Sequence, residues 1–385
     1  MIAIIYPQFY GIGGIARYLE AFLSNLPDEH PKIYLITSDE YMVERHYPNV
    51  ELIHLPYSQS RLSMLIWSWR ARRLVKQLYA QNKIQIVNLH IPPFIPWFGI
   101  PGYIPYVLTA HTTYLGMSGK FYKGQYFSSQ WGMLETRLKM MLEKLIFRSA
   151  KRIIALTNQG MQELHQYHIK TPISVIPNGV DTQTFATGHY RKEIDVLFCG
   201  RIERRKGSDA IVALCKVLVA LNPDIRIAIV GYGEDEGLMR DDLAAYAKNV
   251  HMYGKVDFFQ TKIFYQKSKM YVSTSYYEGL PSTCLEAMAC GLPAIVWDFA
   301  FYHTLVKNGV NGYLIEPAQV DLMATRIIEV LEDVALLEQL GLRARGHVEQ
   351  HYQWKHLAIS VVELLKEKPN TKPEKTIPVF TEMKS

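Results

Sequence analysis

Short apolar runs rich in Ile, Val and Leu alternate along the chain with longer segments in which apolar residues recur at helical spacing. This alternation predicts βαβ units with parallel sheets, which is an α/β fold. In the first half, strands are predicted at Ile2–Tyr6, Ile33–Thr37, Glu51–Leu55, Ile84–Leu89, Tyr106–Ala110, Arg152–Leu156 and Ile173–Ile176, and helices at Gly14–Asn25, Leu62–Ala80, Ser129–Arg148 and Gln159–His168.

The alternation lapses over residues 177–192, where Pro, Asn, Gly and other polar residues have the composition of a linker. It then restarts, which predicts a second domain of the same kind, and it ends in a charged, proline-rich tail at Lys368–Ser385. In the second half, strands are predicted at Asp195–Cys199, Arg226–Val230, His251–Tyr253, Met270–Thr274, Ala294–Trp297 and Gly312–Ile315, and helices at Ser208–Leu221, Glu236–Ala247, Thr283–Ala289, Val320–Glu332 and Trp354–Lys366.

Composition and charge agree with two soluble domains and add one asymmetry. A chain of 385 residues is longer than a typical single hydrophobic core supports. Residues 1–185 hold 18 Lys and Arg against 11 Asp and Glu, and no acidic residue occurs between Glu51 and Glu135. The first half therefore has a field of one sign, which attracts anions.

Cysteine spacing and the start of the chain bear on its compartment. The four cysteines form no CxxC pair and no Cys/His set with zinc spacing, so we expect reduced, buried thiols in a cytoplasmic protein. Met1 leads directly into an apolar segment without the pattern of a signal peptide. No apolar run reaches the roughly 18 residues that a bilayer requires.

The segment 200–207, Gly-Arg-Ile-Glu-Arg-Arg-Lys-Gly, lies between a predicted strand and a predicted helix. Backbone N–H groups at such a turn lie at the positive end of the helix dipole and favour anions. Arg201 offers a planar fork to phosphate oxygens and Lys206 a point charge, so the two cations suit a diphosphate. A plain basic surface loop is the alternative interpretation.

Glu278 and Glu286 lie eight positions apart, the first placed at the end of a predicted strand and the second in the first turns of the next helix. Open α/β sheets bind ligands at the carboxyl ends of their strands, so both side chains are expected near a ligand. A carboxylate can accept two hydrogen bonds from the vicinal hydroxyls of a ribose. Either residue alone could equally be a helix-start or surface charge.

Four motifs occur together: Ile176-Pro-Asn-Gly-Val-Asp181, the 200–207 turn, the Glu278-to-Glu286 run and Asn311-Gly-Tyr-Leu-Ile315. Together they resemble the retaining glycosyltransferases of family 4, which have the GT-B fold of two Rossmann-like domains facing across a cleft. The resemblance implies an acceptor-side domain at 1–178, a donor-binding domain at 179–352, a helix at 353–368 that packs back toward the first domain, and a mobile tail at 369–385.

The resemblance also assigns roles. Arg201 and Lys206 would grip the donor diphosphate, Glu286 would bind the ribose, and Glu278 would contact the transferred sugar or stabilise charge at the reacting centre. His111, just beyond a predicted strand, would lie near the reacting sugar, while His90 is a lesser candidate. The remaining donor-binding positions are Gly13, Gly14, Gly200, Gly231, Gly233, Val256, Leu280, Pro281, Ser282 and Thr283.

One segment departs from the family pattern. Where the family carries a Gly-Gly pair followed by Glu, this sequence has Ala300, Phe301 and Thr304. An unusual donor sugar or reduced activity would follow from the difference.

A basic, apolar segment at Leu62–Lys76 has two interpretations. It combines Leu65, Trp67 and Trp69 with several Arg and Lys residues, and the Pro-rich piece Ile91–Pro101 follows it. One interpretation is a core-packed helix with a solvated basic face. The other is a peripheral contact with an anionic membrane surface, on its inner side, that serves a lipid-linked acceptor. No nucleic-acid-binding module is present, so we expect no nucleic-acid partner.

The expected reaction is transfer of a sugar from a nucleoside diphosphate to a hydroxyl of a glycan or lipid-linked acceptor, with retention. No Asp-x-Asp pair is evident, so neither an essential metal nor another cofactor is expected. Two alternatives stay open: a sugar-nucleotide epimerase, and a catalytically silent scaffold in a polysaccharide assembly complex. Release of nucleoside diphosphate would separate the three.

Overall fold

The computed structural model describes residues 1–9, 13–39, 46–58, 60–91, 100–118 and 130–367. The chain divides into two compact units. The first holds the described residues of 1–118, 130–179 and 354–367, and the second holds 180–353. Along the sequence, the boundary between the units falls after Gly179, one residue beyond the expected position. The tail expected over 369–385 lies outside the described residues.

The first unit contains a seven-stranded parallel sheet with the strand order β3-β2-β1-β4-β5-β6-β7. The order reverses direction between β1 and β4, which makes the carboxyl ends of these strands the place where such sheets bind ligands. The strands are β1 Ile2–Ile5, β2 Ile33–Ser38, β3 Val50–Leu55, β4 Ile86–Ile91, β5 Tyr106–Ala110, β6 Arg152–Ala155 and β7 Ile173–Val175; the helices are α1 Gly14–Ser24, α2 Arg61–Ala80, α3 Tyr114–Met117, α4 Gln130–Ser149 and α5 Asn158–Gln166.

The second unit contains a six-stranded parallel sheet with the order β10-β9-β8-β11-β12-β13, which reverses between β8 and β11. Leu214 and Leu218 of its first helix pack with Val196 and Ile227 of the sheet in one buried core. The strands are β8 Ile194–Cys199, β9 Ile227–Val230, β10 Val250–Gly254, β11 Ser268–Ser273, β12 Ala294–Trp297 and β13 Gly312–Ile315; the helices are α6 Ser208–Leu221, α7 Glu236–Leu243, α8 Phe258–Lys267, α9 Ser282–Ala289, α10 Val320–Glu332 and α11 Val334–His351.

Every strand that the apolar pattern predicts is present, because buried parallel strands read as short continuous apolar runs. The pattern missed α3, α8 and α11. Helix α11 is the instructive case, since Gly341 and Gly346 interrupt its pattern. A Cβ on Gly341 would lie only 2.3 Å from the Gly291 carbonyl oxygen, so the glycine permits a close helix approach.

Helix α11 also fixes the segment that follows the boundary between the units. The Arg345 guanidinium donates to the carbonyl oxygens of Phe185 at 2.6 Å and Thr182 at 3.0 Å, and also to that of Ala289. One half-buried side chain thus satisfies two carbonyls of the segment after the boundary and the carbonyl at the end of α9.

The last described helix, α12 Trp354–Lys366, belongs to the first unit although it follows the second in sequence. Its Trp354 ring meets the Tyr18 ring of α1 edge-on, with centroids 4.9 Å apart. A Cβ on Gly179 would lie 2.7 Å from the same indole, so the chain crosses closely over it. The helix is therefore part of the packing around α1.

Helix α2 divides its aromatic residues between core and surface. Trp67 is fully buried, as the core-packed interpretation of this segment requires. Leu65 and Trp69 are exposed, with Leu62 and Ile66 beside them. Within the described ranges, no helix is long and apolar enough to cross a membrane. The Pro-rich piece largely falls at 92–99, outside the described residues.

The free cysteines follow the expectation for three of the four residues. Cys215, Cys284 and Cys290 are buried, while Cys199 is half-buried at the carboxyl end of β8.

Gly341→Ala is expected to lower the free energy of unfolding by about 1–3 kcal/mol, because the added methyl must displace backbone. Gly346→Ala on the same helix is the matched control, since its Cβ would meet no atom within 4 Å. The control should stabilise the protein by ~0.5–1 kcal/mol through helix propensity. Urea unfolding of both variants measures the difference, and equal effects would contradict the packing argument.

Candidate functional site

A group of polar and basic residues lies where the second sheet reverses its strand order. The loop after β8 carries the 200–207 turn, and the loop after β11 carries Glu278. Both therefore lie at the carboxyl edge of neighbouring strands, since β8 pairs with β11 in parallel. One correction concerns Glu278: β11 ends at Ser273, so Glu278 lies in a loop and not at a strand end.

Glycines bring the surrounding loops close together. A Cβ on Gly231 would lie 1.7 Å from the Gly200 carbonyl oxygen, and one on Gly233 would lie 2.1 Å from that of Ile202. The turn after β9 is thus packed directly under the turn after β8, with Ile202 N donating to Tyr232 O at 3.0 Å. Gly231 and Gly233 shape the site through this contact.

Gly207 joins the basic turn to the N-terminus of α6. Its φ is +75°, a left-handed value that favours glycine, and a Cβ there would lie 2.2 Å from the Thr274 carbonyl oxygen. Thr274 Oγ1 donates toward Gly207 O at 3.1 Å. The backbone geometry therefore holds the turn of β8 against the loop of β11.

Glu278 is buried and has two cationic neighbours. Lys206 Nζ forms a short ion pair with Oε1, Ser275 Oγ donates to the same oxygen at 3.0 Å, and Arg205 Nη1 lies 3.7 Å from Oε2. Burial alone would raise the pKa of Glu278, but the charges of Lys206 and Arg205 outweigh burial and lower it below its usual range. Glu278 is thus an ionised, buried carboxylate.

Arg205 is held rigidly and was missed by the sequence analysis. Its Nη1 donates to Tyr277 O at 2.8 Å, its Nη2 donates to Glu203 Oε1 at 2.6 Å, and its own carbonyl accepts from Tyr276 N at 2.9 Å. Nothing in the Arg-Arg-Lys run distinguishes Arg205 from its neighbours, so only the folded loop reveals it. Burial would lower the pKa of Arg205, but Glu278 and Glu203 raise it.

Arg201 differs from Arg205 because its side chain is exposed, with Nη2 lying 3.2 Å from Glu203 Oε1. Arg201 and Lys206 nevertheless line one cavity, and Glu286 is not among its lining residues. The cavity is lined by Phe198, Cys199, Gly200, Arg201, Ile202, Lys206, Ile211, Ile229, Val230, Tyr271, Val272, Ser273, Thr274, Ser275 and Thr283.

Glu286 is buried one side chain away from that cavity. Tyr265 Oη lies 2.9 Å from Glu286 Oε2 and 3.4 Å from Cys199 Sγ, and Cys199 lines the cavity. Tyr265, a second residue that the sequence analysis missed, therefore connects Glu286 to the cavity wall. Its pKa is raised mainly by burial, so it is a neutral hydrogen-bond donor.

The other predicted donor-binding positions follow these loops. Leu280 and Pro281 are buried just before α9, and Ser282 and Thr283 open that helix, with Thr283 Oγ1 2.9 Å from Tyr271 Oη. Val256 lies after β10, the edge strand of the sheet, and is half-buried. It is not among the residues that line the cavity.

The segment that departs from the family pattern is filled by aromatic packing. Phe301 is buried against Tyr302, with centroids 4.6 Å apart, and stacks on Phe299 at 5.6 Å. The Thr304 carbonyl accepts from Tyr352 Oη at 3.0 Å. A buried ring, that of Phe301, thus occupies one of the two family glycine positions, and Ala300 occupies the other.

In the first unit, His111 follows β5 and is buried beside His90 of β4, with His111 Nε2 3.0 Å from His90 Nδ1. Burial lowers the pKa of both imidazoles, to about 3 for His111, so both are neutral near pH 7. His90, expected to be mainly structural, is therefore the direct partner of His111.

Gly13 and Gly14 lie at the start of α1, where a Cβ on either would meet no atom of the described residues within 4 Å. Residues 10–12 of the same loop lie outside the described residues.

Two family models match the chain. The model described as Glycosyltransferase Family 4 matches residues 12–184, and the model described as Glycosyl transferases group 1 matches residues 180–347. Together they cover both units, in the order that the sequence resemblance predicts.

Curated relatives carry related names. Residues of this chain are 28% identical over 322 positions to a phosphatidyl-myo-inositol mannosyltransferase of Mycolicibacterium smegmatis, covering 81% of this chain and 78% of that protein. They are 25% identical over 242 positions to a D-inositol 3-phosphate glycosyltransferase of Rhodococcus jostii, covering 57% of this chain and 53% of that protein. An uncharacterized glycosyltransferase of Methanocaldococcus jannaschii is 26% identical over 227 positions, which cover 55% of this chain and 57% of that protein. The chain thus spans about half the length of the last two relatives.

Solved structures show the same fold. The Anabaena protein HepE in complex with UDP and glucose has a TM-score of 0.74 at 17% identity, covering 95% of this chain and 99% of that one. The expected fold class, α/β with two Rossmann-like domains of the GT-B type, is confirmed.

Arg205→Gln is expected to lower the free energy of unfolding by about 2–4 kcal/mol, because it leaves buried acceptors and Glu278 with less positive charge. Arg204→Gln is the matched control, since Arg204 is the exposed neighbour in the same turn. Chemical unfolding of both variants measures the difference. A loss confined to Arg204→Gln, or equal losses, would contradict the burial of Arg205.

Proposed function

The chain belongs to the family 4 glycosyltransferases, and from this premise we propose that it transfers a sugar from a nucleoside diphosphate to an acceptor hydroxyl, with retention at the anomeric carbon. The observation that carries the proposal is the cavity that Arg201 and Lys206 line together at the strand reversal of the second sheet. A diphosphate needs two positive groups on one rim, and this rim provides them.

The rim is electrostatically suited to a leaving group whose charge grows. Lys206 forms an ion pair with Glu278, on a flexible stem that can move to a phosphate oxygen. Arg201 is exposed and can swing toward the same anion. Because negative charge on the leaving diphosphate increases as the bond breaks, these cations stabilise the transition state more than the ground state.

Two carboxylates divide the recognition of the donor. Glu286, beside Tyr265 and Cys199, binds the ribose hydroxyls, and Glu278 contacts the transferred sugar or stabilises charge at its reacting centre. The support is position: both lie in the loop and helix that follow β11, at the ligand-binding edge of the sheet. We propose separately that His111 of the first unit accepts a hydrogen bond from a substrate hydroxyl.

The transition state is oxocarbenium-like, and the departing phosphate oxygen takes the acceptor's proton in a front-face attack. Arg201, Lys206 and backbone N–H groups at the start of α6 neutralise the diphosphate, so we propose that no metal is essential. Assays with a chelator test this part separately.

The acceptor that we propose is a hydroxyl of a lipid-linked or other glycan acceptor, and the names of the inositol and phosphatidyl-inositol relatives support this class. HepE was solved with UDP and glucose, which supports a nucleotide-sugar donor.

A membrane surface is the place where such an acceptor would be met, and α2 suits it. Leu62, Leu65, Ile66 and Trp69 are exposed apolar side chains of this helix, and basic residues such as Arg70 lie among them. Apolar side chains flanked by cations favour the interface of an anionic bilayer. We propose peripheral contact through this face.

One observation favours a second candidate, a catalytically silent scaffold. Phe301 packs in place of a family glycine and Thr304 replaces a family Glu, which alters the sugar side of the site. The ionised Glu278 and its cations are intact, which favours the enzyme. A scaffold would bind a nucleoside diphosphate without releasing one from nucleotide sugars, and an epimerase would convert the donor without acceptor.

Among UDP, GDP and their sugar conjugates, at least one is expected to raise the melting temperature, because a ligand that binds only the folded state stabilises it. Lys206→Ala and Glu286→Ala should abolish the shift by removing the diphosphate and ribose contacts. Lys248→Ala is the control, since Lys248 is exposed and pairs loosely with Asp224 at 3.5 Å. If none of these nucleotides changes the melting temperature of the wild type, the donor-site proposal is wrong.

Co-sedimentation with vesicles is expected to depend on lipid charge, because α2 carries both apolar and basic side chains. The wild type should sediment with phosphatidylglycerol-containing vesicles and far less with pure phosphatidylcholine. Leu65→Ser with Trp69→Ser should reduce binding at least about tenfold. The control is Leu342→Ser, which changes an exposed leucine of α11. Unchanged sedimentation of the double variant would contradict membrane contact through this face of α2.

A further inference from the structure

A chain of buried polar side chains runs across β4 and β5 in the first unit and ends at His111. Asn88 and His90 are two positions apart on β4, so they lie on one face of the sheet. In register, Asn88 pairs with Val107 and His90 with Thr109 on β5, and His111 continues that face just beyond the strand. All three polar side chains are buried, which makes their hydrogen bonds obligatory.

The orientation of the Asn88 amide determines which group donates in each hydrogen bond of this series. Its Nδ2 donates to Val107 O at 3.3 Å and to Thr109 Oγ1 at 3.1 Å. Because a backbone carbonyl can only accept, the nitrogen of the amide must lie on that side. Asn88 Oδ1 is then the atom 2.8 Å from His90 Nε2, so His90 must donate from Nε2.

The tautomer of His111 follows from that of His90. A neutral imidazole carries one N–H, so His90 with its proton on Nε2 has a lone pair on Nδ1. His111 Nε2 lies 3.0 Å from His90 Nδ1 and must donate to the lone pair of that atom. His111 therefore presents its own lone pair on Nδ1, which has no hydrogen bond to the described residues.

Aromatic packing keeps the two rings from reversing this arrangement. The Tyr18 ring of α1 meets His111 edge-on at 4.8 Å and His90 at 5.4 Å between centroids. The Trp354 ring of α12 also meets the Tyr18 ring edge-on, with centroids 4.9 Å apart. A flip of either imidazole would have to displace this buried cluster.

We propose that Asn88 and His90 are positioning residues that hold His111 as the Nε2–H tautomer, so that its Nδ1 is the atom that accepts a hydrogen bond from a substrate hydroxyl. The inference rests on the proposed function for the identity of the hydroxyl, but not for the tautomer. A His111 with the proton on Nδ1 would be a donor at that atom and could not accept a hydrogen bond from that hydroxyl.

The tautomer is tested first, on ligand-free protein labelled with ¹⁵N-histidine. The wild type should show a protonated Nε2 and an unprotonated Nδ1 for His111, assigned by loss of its signals in His111→Asn. In His90→Gln, the amide can still donate to Asn88 and accept from His111, so the tautomer should persist. In His90→Leu, the acceptor is gone, and the signals should change to a mixture or to the other tautomer.

Kinetics tests the consequence with UDP-glucose and GDP-mannose, by release of UDP or GDP. His90→Leu and Asn88→Ala should lower kcat about tenfold or more with KM for the donor within about twofold, because an oriented hydrogen bond is lost in the transition state. His90→Gln should restore most of kcat. His30→Leu is the control, since it removes a buried histidine of the same unit whose ring nitrogens contact the Pro31 and Pro48 carbonyls.

A wild-type His111 protonated on Nδ1 would overturn the inference, as would a His90→Leu variant with unchanged tautomer or unchanged kcat. An equal loss of kcat in His30→Leu would assign the effect to stability. Failure of the proposed function looks different, because no donor would then turn over while the resonances of His111 would still report its tautomer.

Discussion

The site depends on the charge balance around one buried carboxylate. Glu278 remains ionised in a desolvated place only because Lys206 and Arg205 lie beside it and Ser275 donates to it. A buried carboxylate without a cation would cost several kcal/mol or take up a proton. The two loops after β8 and β11 are therefore held together by an electrostatic requirement as well as by backbone packing.

The two cations of this cluster have different freedom, and the difference gives them different uses. Arg205 is bound to Tyr277 O and Glu203, so it serves as a fixed charge beside Glu278. Lys206 pairs with Glu278 and lines the cavity, so in the proposed function it exchanges that carboxylate for a phosphate. A donor diphosphate could then bind without leaving Glu278 uncompensated.

The buried polar residues singled out in the first unit are neutral, whereas those around Glu278 in the second unit are charged. Asn88, His90 and His111 form a buried chain whose order is set by the backbone carbonyl that Asn88 must satisfy. Burial lowers the pKa of both imidazoles and keeps them neutral. The series of hydrogen bonds therefore determines which ring nitrogen donates, and it carries no net charge. Such a chain suits the recognition of hydroxyls, as the cationic rim suits phosphate.

The sequence by itself determined the two α/β units and their strands, because buried parallel strands require short continuous apolar runs. It also determined that Arg201 and Lys206 share one turn, since eight consecutive residues specify a strand-to-helix loop. Helix α11 was missed because Gly341 weakens its pattern, and the reason for that glycine is a carbonyl 50 residues earlier in the chain.

Only the tertiary structure decided which of three adjacent basic residues would be buried against Glu278, and that Tyr265 would join Glu286 to the cavity wall. It likewise decided that Trp67 faces the core while Trp69 faces solvent. These outcomes depend on contacts between residues far apart in sequence, and residue types and spacing carry local propensity but not the partner that a side chain meets after folding.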